Sequence, residues 1–171
     1  MISEDEAEAT AAEAEAATKA EEEVNAEEAK AAEDKSLREK VEIETRKARE
    51  TAKQIDRPGF MASDLRNAAR RGQNDLLAYY ISEMPIWIDA PDASGWRPLH
   101  EAARAGNLVG IELLISAGCD PSSRTGRNGN GGTALWWAIK QYGENHDAVS
   151  LLRFHNALEV GPDEAIYSYK K

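Results

Sequence analysis

The chain has 171 residues, enough for one compact domain or for a smaller domain with an appendage. Its formal net charge of -10 argues against general nucleic-acid binding, which needs a net basic face. No apolar run approaches the roughly 18–20 residues that would span a bilayer, so direct membrane insertion is not expected. The single cysteine, Cys119, excludes an intrachain disulfide framework.

The N-terminal "MISEDEAEAT" has neither a basic region nor an apolar core of the kind that marks a secretory signal. A cytoplasmic location is the resulting expectation, with an organellar or secretory compartment open if the chain is processed or a fragment. Residues 1–57 hold 18 acidic and 10 basic side chains and are rich in Ala, Glu and Lys. There is no Pro before Pro58 and no Gly before Gly59, so a long helix is predicted, broken at Pro58-Gly59. Fifty such residues would extend on the order of 75 Å. Val41, Ala48 and Ile55 are seven apart, but Glu44 and Thr51 between them spoil a clean coiled-coil seam. Two readings stay open: a solvated helix, or a helix over Leu37 to Ile55 that docks on a partner or on the folded domain.

After a linker at 58–61, internal repetition dominates. "NAARRGQNDLLAYYI" (67–81) aligns with "EAARAGNLVGIELLI" (101–115) at an offset of 34 residues, and "WAIKQYGENHDAVSLLRF" (137–154) is a third copy. Ala102 and Ala103 allow two helices to approach, Gly106 permits the turn between them, and Pro98 opens the first helix. Leu108, Ile111, Leu114 and Ile115 form the stripe of one buried face.

The stretch "GWRPLHEAARAGNLVGIELLISAGCD" (95–120) resembles an ankyrin repeat, with Gly95, Pro98, Leu99, His100, Ala102, Ala103, Gly106, Leu113, Leu114, Gly118 and Asp120 at the motif's positions. Arg97 and Cys119 depart from it, standing where Thr and Ala are usual. The resemblance covers residues 62–160 and leaves a C-terminal tail at 161–171. It implies an all-α fold: a short ankyrin-like helix-turn-helix solenoid preceded by the long acidic helix. The variant "GGTALWWAIKQYGENHDAVSLL" is more weakly similar to ankyrin-like tails of algal prolyl-4-hydroxylase-type oxygenases. That enzyme's His-x-Asp iron motif does not occur here.

"TGRNGNGGTALWWA" (125–138) nearly spells a phosphate-binding loop, but Gly132 stands where the essential Lys belongs. In ankyrin register the glycines fall in the hairpin between repeats two and three, where several positive φ values are needed. The three histidines form no metal-spaced set with Cys119 or the carboxylates, so neither metal nor cofactor is expected and the chain reads as a non-enzyme. The resemblance gives His100 a hydrogen bond to loop backbone and makes Cys119 a packing residue.

Function then falls to the surface. Trp87 sits in the loop after repeat one. In the ankyrin register Trp96 and Trp137 belong to the hairpin and concave face, and either pack on adjacent hairpins or contact a protein partner. Arg97, Glu101, Arg104, Arg124, Arg127 and Lys140 would supply a polar rim. The expected role is a protein-protein interaction module or adaptor. The alternatives are a structural subunit of a large, possibly membrane-associated complex and a non-catalytic oxygenase tail.

Overall fold

The computed structural model describes residues 4–55 and 61–163. The Pro58-Gly59 break expected from sequence, and residues 164–171 of the expected tail, lie outside them. The chain divides into two compact units, Met1–Leu37 and Arg38–Lys171.

The Ala/Glu/Lys-rich segment forms helix α1 (Glu4–Ala52). Over residues 19–36 nearly every side chain is exposed, as a sequence with charges on all sides dictates. Within the second unit the character of α1 changes. Val41, Thr45, Ala48 and Ala52, spaced four, three and four residues apart, are all buried. The Arg38 guanidinium lies 4.3 Å from the centre of the Phe154 ring. Further along, Arg49, Ala52 and Lys53 share a cavity of about 340 Å³ with Ala78, Ile81, Leu113 and Ala117. Residues 38–53 therefore dock on the folded domain. Ile43, one of the helix's few large apolar residues, points outward with 45% exposure.

Three antiparallel helix pairs follow: α2 (Ala62–Arg71) with α3 (Asn74–Glu83), α4 (Pro98–Arg104) with α5 (Leu108–Ser116), and α6 (Ala134–Tyr142) with α7 (Asp147–Phe154). First helices stack on first helices, α2 on α4 on α6, and second helices on second helices, α3 on α5 on α7. The reason is legible in the pattern. Ala68, Ala102 and Ala138 are 1%, 0% and 0% exposed, so backbones at the centre of the stack approach across side chains of one carbon. Leu65, Leu77, Leu99, Ile111, Leu114, Val149 and Leu152 fill the space between the two layers.

Helix α5 departs from the expected stripe. Val109, Ile111, Leu113 and Leu114 are buried, whereas Leu108 and Ile115 are only partly covered. The middle helix is enclosed by its own partner and by both neighbouring repeats, so its apolar surface is not one face.

Polar side chains stitch the repeats together. Asn107 caps α5 by accepting from the Gly110 amide (3.0 Å) and donates across the junction to the Ala69 carbonyl (3.0 Å) and Asn74 Oδ1 (2.8 Å). Among the described residues the only β-type pairing is the bridge of Arg124 with Thr133, which closes the hairpin before α6. Thr133 caps α6 and its hydroxyl donates to the Leu158 carbonyl (2.7 Å). Leu158–Asp163 is thereby strapped to that hairpin, with two further bonds from the Thr133 amide to the Val160 carbonyl (3.0 Å) and from the Asp163 amide to the Asn130 carbonyl (2.9 Å).

Candidate functional site: the first-helix and hairpin face

The glycine run at 125–133 is a hairpin in which several amides already have backbone partners. Thr125 N–H donates to the Gly132 carbonyl (3.0 Å), Gly126 to Ser94 (2.9 Å), Gly129 to Gly126 (2.9 Å) and Gly131 to Thr125 (2.7 Å). Of the four glycines, only Gly126 and Gly129 take positive φ (89° and 68°). Gly131 and Gly132 are needed for space instead: a side chain at 131 would meet the Thr125 backbone, and one at 132 the Trp136 ring. With the Thr125, Gly126, Gly129 and Gly131 amides bonded to backbone carbonyls and no Lys in the run, the hairpin lacks the parts of a phosphate cradle.

His100, on α4 and 1% exposed, connects adjacent hairpins. Its Nδ1 accepts from the Arg97 amide (3.2 Å) and its Nε2 meets the Ser123 carbonyl (3.0 Å). An amide can only donate and a carbonyl only accept, so the ring is the neutral Nε2–H tautomer. Burial pushes its pKa down to about 4. Cys119 is also structural: its thiol donates to the Ile88 carbonyl (3.2 Å), and burial raises its pKa to about 12. No cluster of three or more His, Cys, Asp or Glu residues able to hold a metal occurs among the described residues.

The tryptophans come together. Trp96 and Trp137 lie 5.0 Å apart between ring centres at an interplanar angle of 38°, and Trp137 meets Trp136 edge-on at 4.7 Å. Trp137 Nε1 donates to the Thr125 hydroxyl (3.2 Å), which fixes its ring. Both Trp96 and Trp137 are half-buried, so each packs on its neighbour and still presents surface. Trp136 was not singled out by the sequence reading. It stands where the second repeat has His100 and lies against Gly161 of the C-terminal strap. Trp87 belongs to a 3₁₀ turn (Pro85–Trp87) and is 40% exposed beside Ile86, at 78%.

The charged candidates separate by position. Arg104 sits over Trp96 (5.6 Å) and Lys140 over Trp136 (5.5 Å), both exposed beside the indoles. Glu101 is partly buried on the same helix as Arg104. Arg97 turns back to Asp89, bonding its carbonyl and pairing with its carboxylate (3.3 Å). Burial holds the Asp89 pKa above the usual carboxylate value despite that guanidinium. Arg124 bonds the Gly131 carbonyl (2.8 Å), the Gly161 carbonyl (3.0 Å) and Asp163 (2.6 Å), so it fastens the strap. Arg127 is exposed at the hairpin tip, where it lines an open cavity of about 360 Å³ with Arg97, Arg124 and Asp92.

The profile for ankyrin repeats in three copies matches residues 65–162, more than half of the chain and all three helix pairs. The chain belongs to the ankyrin-repeat family. Ankyrin repeats are typically protein-protein interaction modules and generally non-catalytic. An ankyrin repeat-containing protein of Treponema pallidum (strain Nichols) is 34% identical over 90 residues, covering 53% of this chain and 28% of that protein. The transient receptor potential cation channel subfamily A member 1 homolog of Caenorhabditis elegans is 30% identical over 92 residues, 54% of this chain and 7% of the channel. Delta-latroinsectotoxin-Lt1a of Latrodectus tredecimguttatus is 35% identical over 66 residues, 38% of this chain and 5% of the toxin. The chain thus spans under a third of each of these relatives, and the likeness is one of ankyrin repeats. No helix among the described residues is long and apolar enough to cross a membrane.

Proposed function

We propose that the ankyrin domain is a non-catalytic, protein-binding adaptor module that holds its partner against the first-helix and hairpin face. The carrying observation is the Trp96–Trp137 pair: two indoles locked 5.0 Å apart, half-buried, with Trp137 oriented by Thr125. Rigid, partly exposed aromatics offer large contact area at little entropic cost, and such residues dominate binding energy at interfaces. Arg104 lies over Trp96, Lys140 over the adjoining Trp136, and Glu101 is on the same helix as Arg104, so these residues would form the polar rim, with Arg127 extending the surface to the hairpin tip. Arg97 acts behind the surface by bracing the hairpin through Asp89.

The test is capture from native extract by the intact chain and by the Trp96→Ala/Trp137→Ala variant, with folding checked by circular dichroism and Trp87→Ala as control. Partners lost with the folded double variant and kept with the control support this face. Partners kept by the double variant sink it. A second reading, a structural subunit of a large assembly, draws on the helix at residues 19–36, whose exposed surface would lie along neighbouring subunits. Failure to co-sediment with any large particle would count against it.

A further inference from the structure

Aligning the repeats on buried Ala68, Ala102 and Ala138 places Arg70, Arg104 and Lys140 at one common position, two residues further on. All three are exposed. The ion pairs among the described residues are made by Arg97, Arg124, Arg153 and His155, and none involves these three. Arg70 bonds the Asn67 amide oxygen (2.9 Å), while Arg104 and Lys140 lie against indole rings. Each repeat therefore adds one cation without a carboxylate partner to a single row.

The row lies in a layer of distinct sign. The first helices carry Arg66, Arg70, Arg71, Arg104 and Lys140 against Asp64 and Glu101, a net of +3. The second helices carry Asp75, Glu83, Glu112 and Asp147 against Arg153, a net of -3. A positive layer in a chain of net charge -10 favours an acidic ligand on that layer alone.

Spacing sharpens the ligand. Stacked helices lie about 8–10 Å apart, so the row presents one cation roughly every 10 Å. An α-helix rising about 1.5 Å per residue repeats that distance every seventh residue. We infer that this face binds an acidic helical segment of a partner protein, with carboxylates seven residues apart meeting Arg70, Arg104 and Lys140. An apolar side chain of the segment, between the second and third carboxylates, seats on Trp96 and Trp137. The inference rests on the binding face proposed above and names the chemistry of what binds there.

The experiment titrates the full chain, by fluorescence anisotropy, with two labelled helical peptides of identical composition. One has glutamate at every seventh position and leucine between; in the other the glutamates are moved out of that register. The in-register peptide is expected to bind at least fivefold more tightly, and to weaken as salt is raised. Single Ala replacements in the row should weaken it about two- to fivefold, as for exposed ion pairs. The combined Arg70→Glu/Arg104→Glu/Lys140→Glu variant should lose at least tenfold. The variant Arg46→Glu/Lys47→Glu/Arg49→Glu, with the same change in net charge on exposed positions of α1, should lose far less.

Equal binding of the two peptides, no binding by the intact chain, or equal losses in the two reversed variants overturns the inference. Natural partners that need Trp96 and Trp137 but survive reversal of the row overturn it too, while leaving the binding face standing. Self-association at low salt that disappears on reversal would assign the row to the acidic Met1–Leu37 segment of a second copy, against a partner protein.

Discussion

Acidification should weaken this protein through His100, and the geometry fixes the sign. In the fold, Nδ1 faces the Arg97 amide, so a proton added there would point one N–H at another. Burial lowers the folded pKa from the ordinary 6.5 to about 4. Between these values the unfolded chain binds the proton and the folded chain does not, so stability is complete above about pH 6.5 and falls as pH drops towards 4. At about 1.4 kcal/mol per pH unit, lowering pH from 7 to 5 costs roughly 2 kcal/mol from this one group. Asp89, whose pKa is raised, works in the opposite direction, but it is common to wild type and variant and cancels in their difference. The assay is urea unfolding at a series of pH values for wild type and His100→Gln. Wild type should lose the extra 2 kcal/mol or so, and the variant, less stable at pH 7, should lack that part of the slope. Parallel pH dependence in the two proteins would refute the argument.

Further expectations come from packing. A methyl group at Gly95 (φ 79°) would stand 2.6 Å from the Gly126 amide nitrogen and carbonyl carbon. Gly95→Ala should therefore cost about 2–4 kcal/mol by the same unfolding assay, combining backbone strain with displacement of the hairpin. Cys119 should resist thiol reagents at pH 8 in the folded chain and react once unfolded, since its thiol is buried, bonded to Ile88 and titrates near 12. Labelling at the rate of a free thiol would contradict that placement. Val41→Asp puts a charge into the stripe that docks residues 38–53, and should speed tryptic cleavage at Arg46, Lys47 and Arg49 several-fold. An unchanged cleavage pattern would mean that the stripe does not hold the helix.

The ankyrin stack was legible because its signals are local and repeated. The alanine pair and the glycine turn recur at the offset of 34 residues, while Pro98 and the hairpin histidine mark the middle repeat alone. The docking of α1 was harder to see. Its buried stripe is Val41, Thr45, Ala48 and Ala52, so small residues on one face carry the contact while the larger Ile43 stays outside. The heptad series Val41, Ala48 and Ile55 meets two members of this stripe and passes over Thr45 and Ala52. The tryptophan cluster resisted for another reason. Trp96 and Trp137 are 41 positions apart, and whether an indole packs or projects depends on a neighbouring repeat. The packing reading holds, since each ring lies on the other, and the surface each keeps is what the proposed partner contact would use. Trp136 stands at the position of His100 in the second repeat, and its packing against Gly161 depends on a strap that the repeat motif does not specify.

The strap at Leu158–Asp163 bears on how the array comes apart. A linear stack loosens from its ends, because a terminal repeat has one neighbour instead of two. Here Thr133 caps α6 and also bonds the strap, while Arg124 ties Gly161 and Asp163 to the hairpin. The helix start, the hairpin and the strap share the same atoms, so none of them opens without the others. The third repeat and the strap should therefore open as a single cooperative unit, with amides that exchange with solvent together rather than one turn at a time.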